Sequence, residues 1–362
     1  MKYIDEYRNP ELINKLCASI KKIADKPYIF MEVCGGHTMA IQRFGIPSLL
    51  PSTIKLISGP GCPVCVTDTS YIDHLTALAQ LDKTIICTFG DLIRVPGSYT
   101  SLDKAKAAGA DIRVVLSSLD ALKIATENPK QNVVFAAIGF ETTSPGTAVA
   151  VLEAEQMNLN NFSILSAHKI MPPAMKAIVE DGVKINGYIC PGHVSTIAGS
   201  AMYEEVCRDF GLGCVISGFE PLDILHSIHM LLVQLKNNDP KVEIQYKRAV
   251  KPNGNKKAKK IMDQVFVAVD GKWRGLGSIK RSVLKLRPQY YKYDAEHQFS
   301  VSFKTKEPDK GCICGEILKG KKSPSDCILF AQNCRPENPV GACMVSNEGA
   351  CQSYFKYHQY GK

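Results

Sequence analysis

The sequence contains no long apolar run and no recognisable signal peptide. None of its hydrophobic stretches approaches the roughly 18 residues that span a bilayer, and its first eight residues combine acidic side chains with no apolar segment. A content of 45% hydrophobic and 22% charged residues excludes a disordered chain and a fibrous repeat. The 362 residues suffice for two or three domains with a sizeable core. We therefore expect a folded cytoplasmic protein that does not interact with a membrane.

Motifs for nucleic-acid binding are also lacking, although the chain is basic. Residues 246–322 hold 20 Lys and Arg against 7 Asp and Glu, and the densest run lies at 247–260. No zinc finger, basic zipper or RNP-like motif accompanies this run. The pattern favours a solvated helix face or loop, or a surface for an acidic partner, over nucleic-acid binding.

Short apolar runs alternate with helical stretches after an amphipathic opening helix at 10–25. Strands separated by helices are typical of βαβ units, so the sequence predicts an α/β fold with largely parallel sheets. The predicted strands lie at 28–33, 53–57, 84–89, 112–116, 133–138, 162–165, 187–190 and 214–216.

A weak internal repeat suggests two similar α/β domains around a cleft. Residues 54–62 and 185–193 each place Pro-Gly and then a reactive residue at the end of a predicted strand. We place the domains at 1–128 and 129–245, split near Asn128.

A third, basic and cysteine-rich domain is predicted at 246–362. Its stretches 265–269 and 299–303 alternate like antiparallel strands, with Asp270-Gly271 as a turn. Its last fifty residues contain many cysteines and resemble loops.

Four loops that contain potentially reactive side chains follow predicted strands. They are Cys-Gly-Gly-His-Thr at 34–38, Gly-Pro-Gly-Cys-Pro-Val-Cys-Val-Thr at 59–67, Gly-Phe-Glu-Thr-Thr at 139–143 and Pro-Gly-His-Val-Ser at 191–195. In open parallel sheets, ligands bind beyond the carboxyl ends of the strands. We expect these loops to converge on one or two clefts.

Cys62 and Cys65 form a Cys-x-x-Cys pair, which can close a disulfide or share a metal. The Gly-Pro-Gly before the pair and the proline inside it indicate an exposed, rigid turn. Redox or metal chemistry is therefore favoured over two core cysteines.

Cys34 follows another predicted strand and is followed by two glycines, which permit close approach of a ligand to the backbone. A soft iron or copper centre would favour such a thiolate. His37 is a candidate base, ligand or hydrogen-bond donor. A lone cysteine beside two glycines leaves a structural role equally open.

Glu141 and Thr142 adjoin a predicted helix start, where they would bind an anion, orient a histidine or relay a proton. An N-capping network is an equally good interpretation. His193 is also a candidate because of its place in a strand-end loop. His168 and Lys169 are weaker candidates.

The C-terminal cysteines give the strongest signal. Cys312, Cys327, Cys334 and Cys351 would bind a [4Fe–4S] cluster or a structural zinc. The irregular spacing, without two close pairs, favours the cluster. Two more cysteines, Cys314 and Cys343, would be alternative ligands or a nearby redox pair.

Taken together, these motifs resemble the HypD family of hydrogenase maturation factors. The four strand-end loops and the cysteine array ending Cys-Met-Val-Ser-Asn-Glu-Gly-Ala-Cys at 343–351 occur in the family's order and cover nearly the whole chain. The basic stretch at 247–260 matches no family motif.

The resemblance implies a role in building the Fe(CN)2CO unit of [NiFe]-hydrogenases. A HypC-type chaperone would hold the iron jointly with the protein, and HypE would deliver cyanide as a thiocyanate made with HypF. The family has three domains, two of them similar α/β units, and carries a [4Fe–4S] cluster. We expect a monomer.

The resemblance also implies roles for individual residues. Cys34 would be the iron-binding thiolate, and Cys62 and Cys65 would pass electrons to the iron or help to hold it. Glu141, Thr142 and His193 would line the same cleft as proton relay and orienting groups. The cluster ligands would be Cys312, Cys327, Cys334 and Cys351.

Two other functional classes remain open. A generic iron–sulfur dithiol–disulfide reductase would use the Cys-x-x-Cys pair and the cluster, but would leave Cys34 without a role. A non-catalytic scaffold with a zinc-stabilised tail is the other class, and it would give neither the Cys-x-x-Cys pair nor the C-terminal cysteines a redox role.

Overall fold

The computed structural model describes residues 4–306 and 311–358. All eight strands expected before residue 217 are present, and a short ninth strand follows them. The strands are β1 Tyr28–Glu32, β2 Ile54–Ser58, β3 Thr84–Thr88, β4 Asp111–Val114, β5 Asn132–Ala137, β6 Phe162–Ser166, β7 Gly187–Pro191, β8 Gly213–Ser217, β9 Val242–Ile244, β10 Phe266–Trp273 and β11 Gly277–Leu286.

Helices separate almost all of these strands. The first begins where expected, because Pro10 suits a first helical position and the Asn9 side chain accepts hydrogen bonds from two backbone N–H groups. The α-helices are α1 Pro10–Ile23, α2 Gly35–Arg43, α3 Ile46–Leu49, α4 Pro63–Val66, α5 Thr69–Leu78, α6 Leu102–Ala107, α7 Ser118–Glu127, α8 Ser144–Gln156, α9 Met171–Glu180, α10 Gly192–Ala198, α11 Glu204–Phe210, α12 Pro221–Asn237, α13 Lys256–Val265, α14 Ala295–Gln298, α15 Cys314–Leu318 and α16 Ala350–His358. Short 3-10 turns lie at Asp5–Arg8, Gly90–Leu92, Ser200–Tyr203, Pro288–Tyr293, Pro324–Asp326 and Ala342–Met344.

The first nine strands form two parallel sheets, which confirms the α/β class. Sheet A has the order β2-β1-β7-β8-β9, and sheet B has the order β4-β3-β5-β6. The chain therefore leaves sheet A after β2, builds all of sheet B, and returns to sheet A at β7. Each sheet takes strands from both sides of Asn128, so the expected boundary there does not fall between the sheets. Apolar runs identify strands but do not specify which strands pair.

Three apolar clusters hold the two sheets and their helices together. One face of each sheet contributes to a shared cluster, to which sheet A gives Met31 and Ile216 and sheet B gives Ile86 and Leu165. The other face of sheet A packs against α1 and α12, and the other face of sheet B packs against α7 and α8. Because the shared cluster joins the sheets, their carboxyl edges are held in fixed relation by buried apolar contacts.

The third region differs from the expected pair of strands. β10 pairs antiparallel with β11, and its residue Asp270 lies at a register shift inside β10 rather than in a turn. The connection instead falls at residues 274–276, and residues 299–303 have no regular structure. The expected partner strand was therefore wrong: β10 pairs with its immediate chain neighbour, which closes the shorter loop.

The second part of the basic run, from Lys256 onward, forms the helix α13 with an exposed charged face. The lysines of α13 point outward, whereas Met262 and Val265 pack against the cluster under sheet B. This agrees with the solvated-face interpretation of the run. Within the described part of the chain, no helix is long and apolar enough to cross a membrane.

Candidate functional site

Cys34 lies where β1 ends and α2 begins. Its backbone N–H donates to Glu32 Oε2 at 3.0 Å, and the Thr38 hydroxyl donates to the other oxygen of the same carboxyl group. Both Cys34 and Glu32 are buried. Burial raises the pKa of Glu32 to about 8, and burial followed by the charge of Glu348 raises the pKa of Cys34. The Cys34 thiol therefore keeps its proton until a metal cation displaces the proton or a base removes it.

The loop that carries the Cys-x-x-Cys pair lies directly over Cys34. A Cβ added to Gly61 would overlap the backbone nitrogen and Cα of Cys34, and one added to Gly59 would come within 2.9 Å of the Glu32 carbonyl oxygen. Only glycine allows this approach of two backbones. The glycines at the end of β2 thus bring Cys62 and Cys65 next to Cys34.

Replacing Gly61 by alanine should therefore destabilise the protein by roughly 1–3 kcal/mol, because neither backbone can move far within a packed edge. Gly90→Ala is a matched control: it also follows a strand, and its Cβ would meet only Val114 Cγ1 at 3.6 Å. Urea denaturation measures both. Equal stabilities of the two variants would show that the loop is not packed on Cys34.

Cys62 and Cys65 begin the short helix α4 and are joined by a disulfide, with Cα atoms 5.2 Å apart. Both side chains are buried, so the expected exposure of this turn was wrong. The turn is covered because α4 packs against the 3-10 turn at Ala342–Met344. The pair is shielded from solvent and borders the cysteine-rich segment.

Two histidines flank one aromatic ring at the same edge of sheet A. The Phe219 ring is stacked on His37 at 4.5 Å and on His193 at 4.0 Å between ring centroids. His37 Nε2 lies 2.9 Å from the Gly218 carbonyl oxygen, while its Nδ1 has no hydrogen-bond partner. Burial lowers the pKa of His37 to about 4. His193 is more exposed, but burial of part of its side chain also lowers its pKa. Both imidazoles are therefore neutral near pH 7.

Glu141 and Thr142 lie at the carboxyl edge of sheet B and not with Cys34 at the edge of sheet A. Glu141 is buried and accepts a hydrogen bond from Met171 N–H at 3.2 Å, and its Oε2 has no partner. Thr142 is exposed. The charge of Glu141 contributes to a raised pKa at Tyr203, whose hydroxyl lies 3.0 Å from Ser195 Oγ on the helix that carries His193. The loop thus approaches the His193 helix from the opposite sheet.

Burial raises the pKa of Glu141 to about 7, which predicts a pH-dependent stability. The folded state holds this proton more tightly than the unfolded chain, so the free energy of unfolding should fall by about 3 kcal/mol as pH rises from about 4.5 to 7. In Glu141→Gln this contribution should vanish. Glu32 titrates in an overlapping range in both proteins, so the difference between them at pH 5 and pH 8 isolates Glu141. A pH-independent difference in urea denaturation would contradict the prediction.

Six cysteines of the C-terminal segment line one small void. They are Cys312, Cys314, Cys327, Cys334, Cys343 and Cys351, together with apolar side chains. Among the described residues, no three His, Cys, Asp or Glu side chains converge in the manner of a single-ion site. A ring of soft sulfur donors suits an iron–sulfur cluster and a structural zinc alike.

The two cysteines outside the expected ligand set contact each other, and hydrogen bonds also link Cys314 to Cys312 and Cys343 to Cys351. Cys314 Sγ and Cys343 Sγ are 2.6 Å apart and both are buried. Hydrogen bonds from Cys312 and Cys343, with a smaller contribution from the charge of Arg274, lower the pKa of Cys314. The Arg274 Nε also donates to Thr67 O at 2.8 Å, directly after the Cys-x-x-Cys helix. One arginine thus connects the two cysteine pairs.

Sequence reasoning missed three contributors to this site. Glu32 belongs to no motif, Glu348 lies within the cysteine motif at 343–351, and their place beside Cys34 and Gly35 depends on the fold. Phe219 did have a signal, because Gly-Phe-Glu occurs both at 139–141 and at 218–220. Each copy follows a strand of a parallel sheet, so the repeat marks comparable strand-end loops.

The fold and the site define an α/β protein with clustered cysteines at a sheet edge. A family model described as "HypD: Hydrogenase formation hypA family" matches residues 11–358, and the chain belongs to this family.

Several relatives are similar to this chain over nearly their full length. It is 48% identical to "Hydrogenase maturation factor HypD2" of Bradyrhizobium diazoefficiens, with 99% of this chain and 98% of the relative covered. It is 45% identical to "Hydrogenase maturation factor HypD" of Cupriavidus necator, with the same coverage. An archaeal protein of Methanocaldococcus jannaschii, "Putative hydrogenase expression/formation protein MJ0993", is 44% identical and covers 96% of this chain. The expected family membership is confirmed.

Proposed function

We propose that this protein is a hydrogenase maturation factor on which the Fe(CN)2CO unit of [NiFe]-hydrogenases is assembled. Membership of the HypD family supports the maturation role. The observation that carries the proposal for the site is the packing of the Cys-x-x-Cys loop on the backbone of Cys34. It places a dithiol next to a separate thiol that has no partner cysteine.

Iron is the cargo in this proposal, and Cys34 is its anchor. A thiolate keeps iron soft and electron-rich, which suits cyanide and carbon monoxide as ligands. A HypC-type chaperone would supply a second thiolate to the iron. Burial among the Glu32 and Glu348 carboxyl groups favours binding of a cation at this point.

The Cys62–Cys65 pair supplies the electrons that cyanide transfer needs. When a HypE thiocyanate delivers cyanide, its sulfur–carbon bond breaks, the sulfur leaves as a thiolate, and cyanide binds iron. This step consumes two electrons. The pair provides them by closing its disulfide, and its two thiol protons pass to the departing sulfur and to a base. His193, at the sheet edge that carries Cys34, is the proposed proton acceptor, whereas Glu141 and Thr142 lie at the edge of the other sheet.

The cysteine array would hold a [4Fe–4S] cluster through Cys312, Cys327, Cys334 and Cys351. When bound, the cluster supplies electrons one at a time. The contact between α4 and the turn at Ala342–Met344 supports a path between the array and the dithiol. The close pair Cys314 and Cys343 lies on that path, which favours a redox role for it over ligation.

Infrared spectroscopy tests this function. The protein, purified without oxygen after co-expression with the other maturation factors, should show cyanide and carbonyl stretches. Cys62→Ser and Cys65→Ser should each lower the cyanide bands at least tenfold at equal iron content, because neither variant can close a disulfide. Bands of normal strength in both variants would refute the dithiol role. Bound iron and sulfide without such bands in the wild type would favour the generic dithiol–disulfide reductase.

A further inference from the structure

Phe219 occupies a central place at the edge of sheet A that carries Cys34. It follows β8, and two imidazoles stack on its ring. The His37 ring is inclined by 24° to it and the His193 ring by 23°, so both are stacked. Stacked aromatic pairs at these separations are stabilised beyond the effect of their buried area. The ring therefore restrains two histidines that come from different helices.

The edges of the Phe219 ring fit against the first turns of those helices. A Cβ on Gly36 would lie 3.0 Å from the ring, and one on Gly192 would lie 3.2 Å from it. The same Cβ on Gly36 would be 3.6 Å from Cys34 Sγ. The absence of a side chain at both glycines thus makes space for the Phe219 ring. Gly36 lies between this ring and the Cys34 thiol.

A second group of aromatic and cationic side chains packs against Phe219. Tyr246 meets its ring edge-on at 6.1 Å. The Arg248 guanidinium lies over the rings of Tyr246 and Tyr7, at 4.4 Å and 3.8 Å. It also makes two hydrogen bonds to the buried Asp223. Because Arg248 is held by an ion pair and two rings, Phe219 has little freedom to move.

We propose that Phe219 is a positioning residue that holds His193 and His37 by stacking both imidazoles on one ring beside Cys34. The inference rests on the proposed function of this site. A benzene ring offers no hydrogen bond, so it restrains the imidazoles without occupying their nitrogens. His37 Nδ1, which has no hydrogen-bond partner, therefore stays available for the reaction. His37 is thereby held in a buried position at the edge of sheet A, and His193 is held in an exposed position there.

Nuclear magnetic resonance of the iron-free protein tests the geometry. Protons above an aromatic face are shielded, so the His193 ring resonances should be shifted upfield in the wild type. Phe219→Leu should abolish this shift, whereas Phe219→Tyr and Phe219→Trp should retain it. Phe89→Leu is the matched control, because Phe89 also follows a strand of a parallel sheet and is half-buried. A wild-type protein without the upfield shift would overturn the proposal.

Infrared spectra of the co-expressed variants test the consequence. Phe219→Leu should lower the cyanide bands about tenfold or more, because small misplacement of reacting groups is costly. Phe219→Tyr and Phe89→Leu should retain them. Equal bands in wild type and Phe219→Leu, or equal losses in Phe219→Tyr and Phe219→Leu, would overturn this proposal alone. A wild type without any bands would overturn the proposed function as well.

Discussion

Replacing Cys34 by alanine should abolish every cyanide and carbonyl stretch in the infrared spectrum of the co-expressed protein. The dithiol forms a disulfide with itself, and the C-terminal cysteines line a separate void, so Cys34 is the free thiol beside the Cys-x-x-Cys pair. Cys34 is the proposed anchor of the iron on this chain. The loss should exceed that in the Cys62 and Cys65 variants, because iron itself would not be retained.

Cys87→Ala is the control for this experiment. Cys87 is buried near the end of β3 in the other sheet, and burial raises the pKa of its thiol to about 12. Its substitution removes a thiol of similar burial without touching the proposed site. Metal analysis should find iron beyond the cluster in Cys87→Ala and not in Cys34→Ala. Cyanide bands that persist in Cys34→Ala would exclude Cys34 as the anchor.

The positions of the central strands could be predicted from the sequence because these strands are buried on both faces. The core strands β3 and β5 are runs of apolar residues bounded by polar ones, so composition alone marks them. The same property hides their pairing. An apolar run without alternation does not indicate which strands it pairs with. The sequence near Asn128 likewise does not indicate that the chain passes from sheet A to sheet B and back.

The candidate site was predictable to the extent that it lies in strand-end loops. Cys34, Cys62 and His193 come together at the carboxyl edge of sheet A because β1, β2 and β7 are adjacent parallel strands. Glu141 was expected in the same cleft, but its strand belongs to the other sheet. The residues that shape the environment of Cys34 were not predictable, since Glu348 comes from a loop more than three hundred positions away.

The C-terminal array illustrates a different limit of sequence reasoning. Irregular spacing indicated four ligands and two extra cysteines but did not say whether the extra pair lies near the others. The structure places all six around one void, with the sulfurs of Cys314 and Cys343 in close contact. Two sulfurs that are this close serve a disulfide better than they serve two different irons of a cluster. Ligation and thiol exchange are therefore expected from separate cysteines of the same array.

Single alanine variants should separate these two groups of cysteines. Cys334→Ala should lose the visible absorption of the cluster, with bound iron and sulfide falling from about four per chain to near zero. Cys343→Ala should keep the cluster and lose only the exchange of electrons with Cys62 and Cys65. Both side chains are buried, so general destabilisation should be comparable. Absorption and iron content of anaerobically purified protein measure the first effect, and thiol titration after chemical reduction measures the second. If Cys343→Ala also lost the cluster, Cys343 would be a ligand, and the redox path to the Cys34 site would need another route.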